Sequence, residues 1–282
     1  MLITAEIGIN HQGKLDTAID MIGRAKEAGA DIVKFQKRDV DRVYTPEDLA
    51  TPCKSPWGGT VEDKVRGREL SWDDYVEIAG VCAKEKVGWA ASCWDVGSLV
   101  QLEKLFGGEI AYHKVAAALT GNEAFLSTVA AFGRLTVIST GLCRDLFDVR
   151  RVASLFESRG CPYVLLHSTP HYPTPHRLLN LAIIGELIRE FHSWPSCRGV
   201  GYSGHESGFW PTLQAAAYGA TYIERHFTLD RQAYGADQGC SLEEGEYLEM
   251  TSQLRLVSTV QGSRHKGLDG TEKRPQTGMG KV

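Results

Sequence analysis

Two histidines stand one strand–helix unit apart near the C-terminus. His205 lies in Gly201-Tyr202-Ser203-Gly204-His205-Glu206, and His226 in Ala220-Thr221-Tyr222-Ile223-Glu224-Arg225-His226-Phe227-Thr228. Neutral imidazoles are good ligands for divalent metals of the zinc, manganese or iron type. Two of them leave coordination positions open, as a catalytic rather than a structural metal requires. Two lysines pose a different problem. Lys34 is flanked by Ile32, Val33 and Phe35, and Lys114 follows Ile110-Ala111-Tyr112-His113. An ammonium at the end of an apolar run is costly to bury alone and calls for an anionic partner. Ser92, Ser139 and Ser203 close three further runs and can donate hydroxyl hydrogen bonds. Together these residue types describe a site for a phosphorylated anion beside a metal. Residues two apart on a strand share a face, which pairs Lys34 with Gln36, Glu224 with His226 and, by the same rule, Glu6 with Asn10. Simpler readings compete at each position: Glu6 as a structural partner for Lys34, the serines as strand caps, His113 and His167 satisfied by backbone.

The elements that must position these residues alternate regularly. Strand-like runs are Ile3–Ile9, Asp31–Gln36, Val87–Ser92, Ile110–Val115, Leu135–Ser139, Tyr163–His167, Gly199–Ser203 and Thr221–His226. Helix-like stretches fall at 14–28, 72–86, 96–106, 121–132, 145–159, 177–192, 208–218 and 243–262. In the first of these, Leu15, Ala18, Ile19, Ile22 and Ala25 make one apolar face. Gly29 and Gly219 stand where a helix calls for a left-handed C-cap. Eight such units predict an α/β fold, a (β/α)8 TIM barrel in one domain over residues 1–262, with the strand C-termini converging on the functional face. A doubly wound open sheet would expect a glycine-rich dinucleotide turn after the first strand, and Gly8-Ile9-Asn10-His11-Gln12-Gly13 lacks that spacing. Residues 37–71 read as one long Pro/Gly-rich loop, a length that is usually functional. Residues 263–282 read as an aperiodic tail, partly ordered at most.

Composition excludes several function classes. The net charge is −4, with 31 basic and 35 acidic residues interleaved, so no basic stripe suits a nucleic acid. No apolar run approaches the ~18 residues of a membrane span. Seven cysteines without a C-x-x-C pair argue against a disulfide framework. A cytoplasmic setting is expected, and the N-terminus goes directly into a strand with no room for a signal peptide.

Five segments then carry a resemblance: Ala5-Glu6-Ile7-Gly8-Ile9-Asn10-His11-Gln12-Gly13; Ala28-Gly29-Ala30-Asp31-Ile32-Val33-Lys34-Phe35-Gln36; Ile138-Ser139-Thr140-Gly141; Leu166-His167-Ser168-Thr169 with Tyr172-Pro173-Thr174-Pro175; and Glu224-Arg225-His226-Phe227-Thr228-Leu229-Asp230-Arg231. In this order, over roughly residues 3 to 260, the chain resembles the bacterial sialic acid synthase (N-acetylneuraminate synthase) family, in a short branch lacking the C-terminal antifreeze-like domain. The resemblance implies a barrel enzyme that condenses phosphoenolpyruvate with an aldose to a 3-deoxy-2-ulosonic acid, releasing inorganic phosphate. It implies that Lys34, Lys114, Ser92, Ser139 and Ser203 hold phosphoenolpyruvate. His205 and His226 would hold a divalent metal, manganese first, with magnesium or cobalt as alternatives. Gln36, Tyr172 and Asp237 would face the sugar, and Glu6, Asp237, His205 and His226 would take part in catalysis. Ala117, Leu119, Pro170 and Gly204 stand where the resemblance leads one to expect serine, a sugar-contacting glutamate, an asparagine that helps hold phosphoenolpyruvate and the aspartate before the metal histidine. Leu119 in particular implies the same chemistry on an aldose that need not be N-acetylmannosamine. Phosphoenolpyruvate and an aldose are thus the expected partners, with neither nucleic acid nor membrane, and self-association into dimers or tetramers is open. Two other readings remain at this point: a Schiff-base aldolase using Lys34 or Lys114, and a non-catalytic ligand-binding barrel.

Overall fold

The structure is a computed structural model that describes residues 1–260. The tail expected over 263–282, and the end of the helix expected over 243–262, lie outside the described residues. Eight parallel strands are present: β1 (Leu2–Gly8), β2 (Ile32–Lys37), β3 (Gly88–Cys93), β4 (His113–Val115), β5 (Thr136–Ser139), β6 (Tyr163–Ser168), β7 (Cys197–Gly204) and β8 (Tyr222–His226). They are ordered β3-β2-β1-β8-β7-β6-β5-β4 in one sheet. Ala111 N, two residues before β4, donates to Trp89 O on β3 at 2.8 Å, which brings the two outermost strands together and closes the expected barrel. Around it run α1 (Leu15–Glu27), α2 (Trp72–Glu85), α3 (Val96–Phe106), α4 (Glu123–Ala131), α5 (Leu146–Glu157), α6 (Ile183–Phe191), α7 (Trp210–Ala217) and α8 (Glu244–Val260). None of these helices is long and apolar enough to cross a membrane.

Strand alternation divides the core into two layers. Outward residues such as Ile3, Ala5, Ile7, Val33 and Phe35 are fully buried against the helices. Inward, Ile32, Ala90, Tyr112, Val137, Val164 and Leu166 plug the barrel. The polar site therefore sits on a mainly apolar floor, in which the Tyr112 hydroxyl pairs with Thr4 Oγ1 at 3.0 Å. On α1 the buried face is Ala18, Met21, Ile22 and Ala25, close to the expected stripe. Gly29 (φ +89°) and Gly219 (φ +104°) both adopt the left-handed conformation that the capping pattern requires.

Three expectations are corrected. Residues 37–71 are not a structureless loop: they hold short helices at Val40–Val43, Pro46–Ala50 and Val61–Arg66 and a hairpin of Pro52–Ser55 with Gly58–Thr60. Thr45 and Thr60 start two of those helices with complete capping boxes, a local signal visible in Thr-x-x-Asp. The sixth helix begins at Ile183 rather than 177, because Asn180 (φ +45°) breaks the chain after a 3-10 turn at His176–Leu178. Gly8 (φ +55°) ends β1 with a register shift, so Asn10 does not share a face with Glu6. Asn10 instead donates to Phe227 O and Ser241 Oγ, both at 2.9 Å.

Close packing of β7 on β8 depends on one residue without a side chain. A Cβ on Gly201 would fall 2.2 Å from Tyr222 O and 2.6 Å from Leu166 Cδ2. Gly201→Ala should therefore lower stability by about 1–3 kcal/mol through overpacking, read as a lower urea midpoint with an unchanged slope.

Candidate active site

Four charged side chains meet above the apolar plug. Lys34 on β2 lies 2.5 Å from Glu6 Oε2 on β1 and 3.8 Å from Glu224 Oε2 on β8. Lys114 on β4 lies 3.7 Å from Glu224 Oε1 and donates to Ser139 Oγ on β5. Gln36 Nε2 donates to Glu6 Oε1 at 2.8 Å, and Ser203 Oγ donates to Glu224 Oε1 at 3.1 Å. Each of the four charged residues is buried. Their ionisation is set by one another. Burial lifts the Glu6 carboxyl to about 7, although Lys34 pulls it down. Glu224 is drawn to about 2, because Lys114 and Lys34 together outweigh its burial. Burial lowers Lys114 to about 8 against the pull of Glu224. Lys34 is raised, since Glu224 and Glu6 overcome its own desolvation.

The histidines lie on the β7–β8 side of the same cavity. Their ring centroids are 5.4 Å apart, and Tyr172 stacks on His205 at 4.2 Å and meets His226 edge-on at 6.1 Å. The Nδ1 of His205 faces the Thr169 carbonyl at 3.0 Å, so as a donor there it leaves Nε2 as the lone-pair nitrogen. The buried Nδ1 of His226 has no hydrogen-bond partner, and the Asp237 carboxylate lies 3.7 Å from it. Burial keeps both rings neutral by lowering their pKa values, that of His205 to about 4. Among the described residues, no group of three or more His, Cys, Asp or Glu is disposed to hold a metal ion by itself.

A cavity of about 340 Å³ joins the two halves. Every residue singled out for the site in the sequence lines it: Glu6, Lys34, Gln36, Ser92, Lys114, Ser139, Tyr172, Ser203, His205, His226 and Asp237. Ala117 and Pro170 line it too. Leu119 does not; it turns into the hydrophobic core from the 3-10 turn Ala117–Leu119, so the apolar side chain expected against the acceptor is absent and small alanines form that wall. Elsewhere, His167 meets the Leu179 carbonyl as expected of a structural histidine, whereas His113 meets the Glu103 carboxylate rather than backbone. His11, which the sequence left ambiguous, is buried, with Nδ1 accepting from Gly13 N.

Glu224 is the chief residue that sequence did not single out, although alternation with His226 places it inward. Arg38, Trp94 and Ser168 also line the cavity. Arg38 stacks on the Trp94 ring at 4.4 Å and reaches Glu69 and Gln36; its spacing from Lys34 and Gln36 was the signal that could have found it.

Comparison with known proteins fits this geometry. Residues 21–266 match the model of the NeuB family. The chain belongs to that family. It is 35% identical over 281 residues to the human N-acetylneuraminate-9-phosphate synthase, covering 99% of this chain and 76% of the relative. It is 28% identical to the Campylobacter jejuni N,N'-diacetyllegionaminic acid synthase, covering 97% and 81%. Among solved structures, the N-acetylneuraminic acid synthetase of Leptospira borgpetersenii in complex with citrate superposes with a TM-score of 0.84 at 25% identity, covering 95% of this chain and 87% of that one. The resemblance drawn from the sequence segments is borne out, and this NeuB-family chain is an enzyme of the sialic-acid-synthase type.

The four-charge cluster makes a stability prediction. Glu224→Gln leaves both lysines short of an anion, which should cost about 3–5 kcal/mol. It should also push Lys114 further below about 8. A lysine whose folded pKa is lowered costs most below that value, and the cost shrinks as pH rises toward the unfolded pKa, where the unfolded state binds more protons. The deficit of Glu224→Gln, measured by urea unfolding, should therefore be larger at pH 7 than near pH 9.5.

Proposed function

We propose that this enzyme condenses phosphoenolpyruvate with an aldose to a 3-deoxy-2-ulosonic acid and inorganic phosphate, with a divalent metal, manganese first, held by His205 and His226. The observation that carries the reading is the pairing, within one cavity, of two buried lysines with two neutral imidazoles. The synthase names of the relatives support the reaction class. The acceptor is left as an aldose, amino- or N-acylated or plain.

Lys34 and Lys114, with Ser92, Ser139 and Ser203, would cradle the carboxylate and phosphate through charge-assisted hydrogen bonds. In the free site both lysines are already engaged by Glu6 and Glu224, so the ligand competes with carboxylates. Glu6, at about 7, can take up a proton near neutrality and so release Lys34. The same property suits it to accept the proton of the water that adds at C2, and Asp237 beside His226 is the alternative acceptor. Gln36, Tyr172 and Asp237 would face the sugar.

The residues fit a metal on two counts. The His226 Nδ1 is a buried nitrogen with nothing to bond, and the Thr169 carbonyl fixes the His205 ring. With only two protein nitrogens, water and substrate would complete the shell. Bound there, a metal would supply Lewis-acid polarisation of the aldehyde.

One observation favours a second reading. The lowered pKa of Lys114, about 8, is what a Schiff-base lysine would need. The two readings separate cleanly. Phosphoenolpyruvate labelled with ¹⁸O at the bridging position should put its label in released phosphate, across a panel of aldoses. Label kept in the product, or a borohydride-trapped adduct on Lys114 or Lys34, would overturn the first reading.

Two further outcomes are expected. His205→Ala and His226→Ala should abolish phosphate release while melting normally, and chelator should do the same to the native enzyme until manganese is restored. Phosphoenolpyruvate affinity, followed by calorimetry, should weaken as pH rises past about 7, where Glu6 ionises and holds Lys34, and fall further above about 8 as the Lys114 ammonium is lost.

A further inference from the structure

Behind the histidines lies a second ion pair that no step above uses. Arg225 and Glu206 are both fully buried, and each is the sequence neighbour of a cavity histidine: Glu206 follows His205, and Arg225 precedes His226. The Arg225 NH1 is shared among Glu206 Oε1 at 2.9 Å, Thr212 Oγ1 at 2.7 Å and Gly208 O at 2.9 Å. Its NH2 donates to Glu206 O at 2.8 Å and reaches Cys240 O at 3.4 Å. The Glu206 carboxylate also accepts from Tyr202 OH at 2.7 Å and Thr212 Oγ1 at 2.9 Å. One guanidinium on β8 thus holds the loop that carries His205, the start of α7, and the turn that follows Asp237.

Space is fitted to this pair. A Cβ on Gly204 would come 2.5 Å from Glu206 Oε2, 2.6 Å from Tyr202 Cε1 and 3.0 Å from Arg225 Cδ. Glycine immediately before His205 is therefore what lets the Glu206 carboxylate pack against Arg225 and Tyr202. Stability alone does not explain such an arrangement, since a buried ion pair can often be replaced by apolar residues of similar volume without loss. What a planar fork supplies is fixed direction. The two histidines depend on it unequally. His205 has its own ring anchor at Thr169, and its carbonyl accepts from Thr174 N at 2.8 Å. His226 has no partner at Nδ1, so its orientation is inherited from the strand to which Arg225 is the neighbouring fastening.

We propose that Arg225 and Glu206 form a positioning pair, which sets the separation and orientation of His205 and His226 and thereby the affinity of the divalent-metal site. The inference rests on the metal reading given under Proposed function. Neither residue lines the cavity or touches substrate; both act through the histidines.

Manganese affinity of the metal-free enzyme, measured by titration calorimetry, tests this beside two controls: the melting temperature, and phosphoenolpyruvate affinity in chelator. Arg225→Lys keeps the charge and loses the fork. Arg225→Met with Glu206→Met removes both charges and keeps most of the volume. In both, manganese binding should weaken by about 10–100-fold, the effect of disturbing groups that orient metal ligands, while phosphoenolpyruvate affinity stays at the native value. Glu206→Gln keeps the oxygen facing the guanidinium and should stay within a few-fold of native. Arg225→Lys, which keeps both charges, serves as the folded comparison should the double variant not fold. Native-like manganese affinity in Arg225→Lys, or an equal loss of phosphoenolpyruvate affinity, would overturn the pair's role alone. A native enzyme that binds no manganese would overturn the metal reading and this inference together.

Discussion

Four titratable side chains share the upper half of a barrel whose lower half is hydrocarbon, and they are tolerable there only in combination. Glu6, Lys34, Glu224 and Lys114 arrive on β1, β2, β8 and β4, so no single strand could supply the compensation. Closure of the sheet is what brings them together. Desolvation pushes each toward neutrality, and the neighbours push back by different amounts: Glu224, between two lysines, stays firmly ionised, while Glu6, with one close lysine, hovers near neutrality. That inequality gives one carboxylate a fixed electrostatic task and frees the other to exchange a proton.

The histidine half is organised by different means. Its rings are neutral and aromatic, packed on Tyr172 and on each other, and they need direction more than charge compensation. The strongly ionic contacts of that side are kept out of the cavity, in the Arg225–Glu206 pair behind the strands. One cavity therefore has an ionic wall and a neutral imidazole wall, each braced by separate side chains.

Much of this was legible in the chain because a strand's two-residue period translates directly into facing. Lys34 with Gln36, and Glu224 with His226, followed from alternation alone, and every candidate residue does line the cavity. The failures have equally local causes. Asn10 was misplaced because Gly8 takes a positive φ, which the letter glycine permits without requiring. Leu119 was misjudged because its place against the acceptor rested on the resemblance alone, whereas the 3-10 turn after β4 buries it in the core. The capping boxes at Thr45 and Thr60 were readable, yet the Pro and Gly of residues 51–59 suggested a loop throughout. Arg38 keeps the two-residue period of Lys34 and Gln36 but lies past the run that the apolar pattern marked as a strand, so it was overlooked.

The excursion between β2 and α2 packs around a small apolar cluster of its own, Val40, Leu49 and Val65 with Tyr44 and Val61, separate from the main core. It also touches the opposite rim, where Trp57 meets Tyr234 edge-on at 5.8 Å. Two properties of the molecule are thereby uncoupled. Substitutions inside this satellite alter the packing of a rim segment, while the main core that holds the barrel together is built from other residues. Descendants of such a chain can vary that rim without first having to regain a fold.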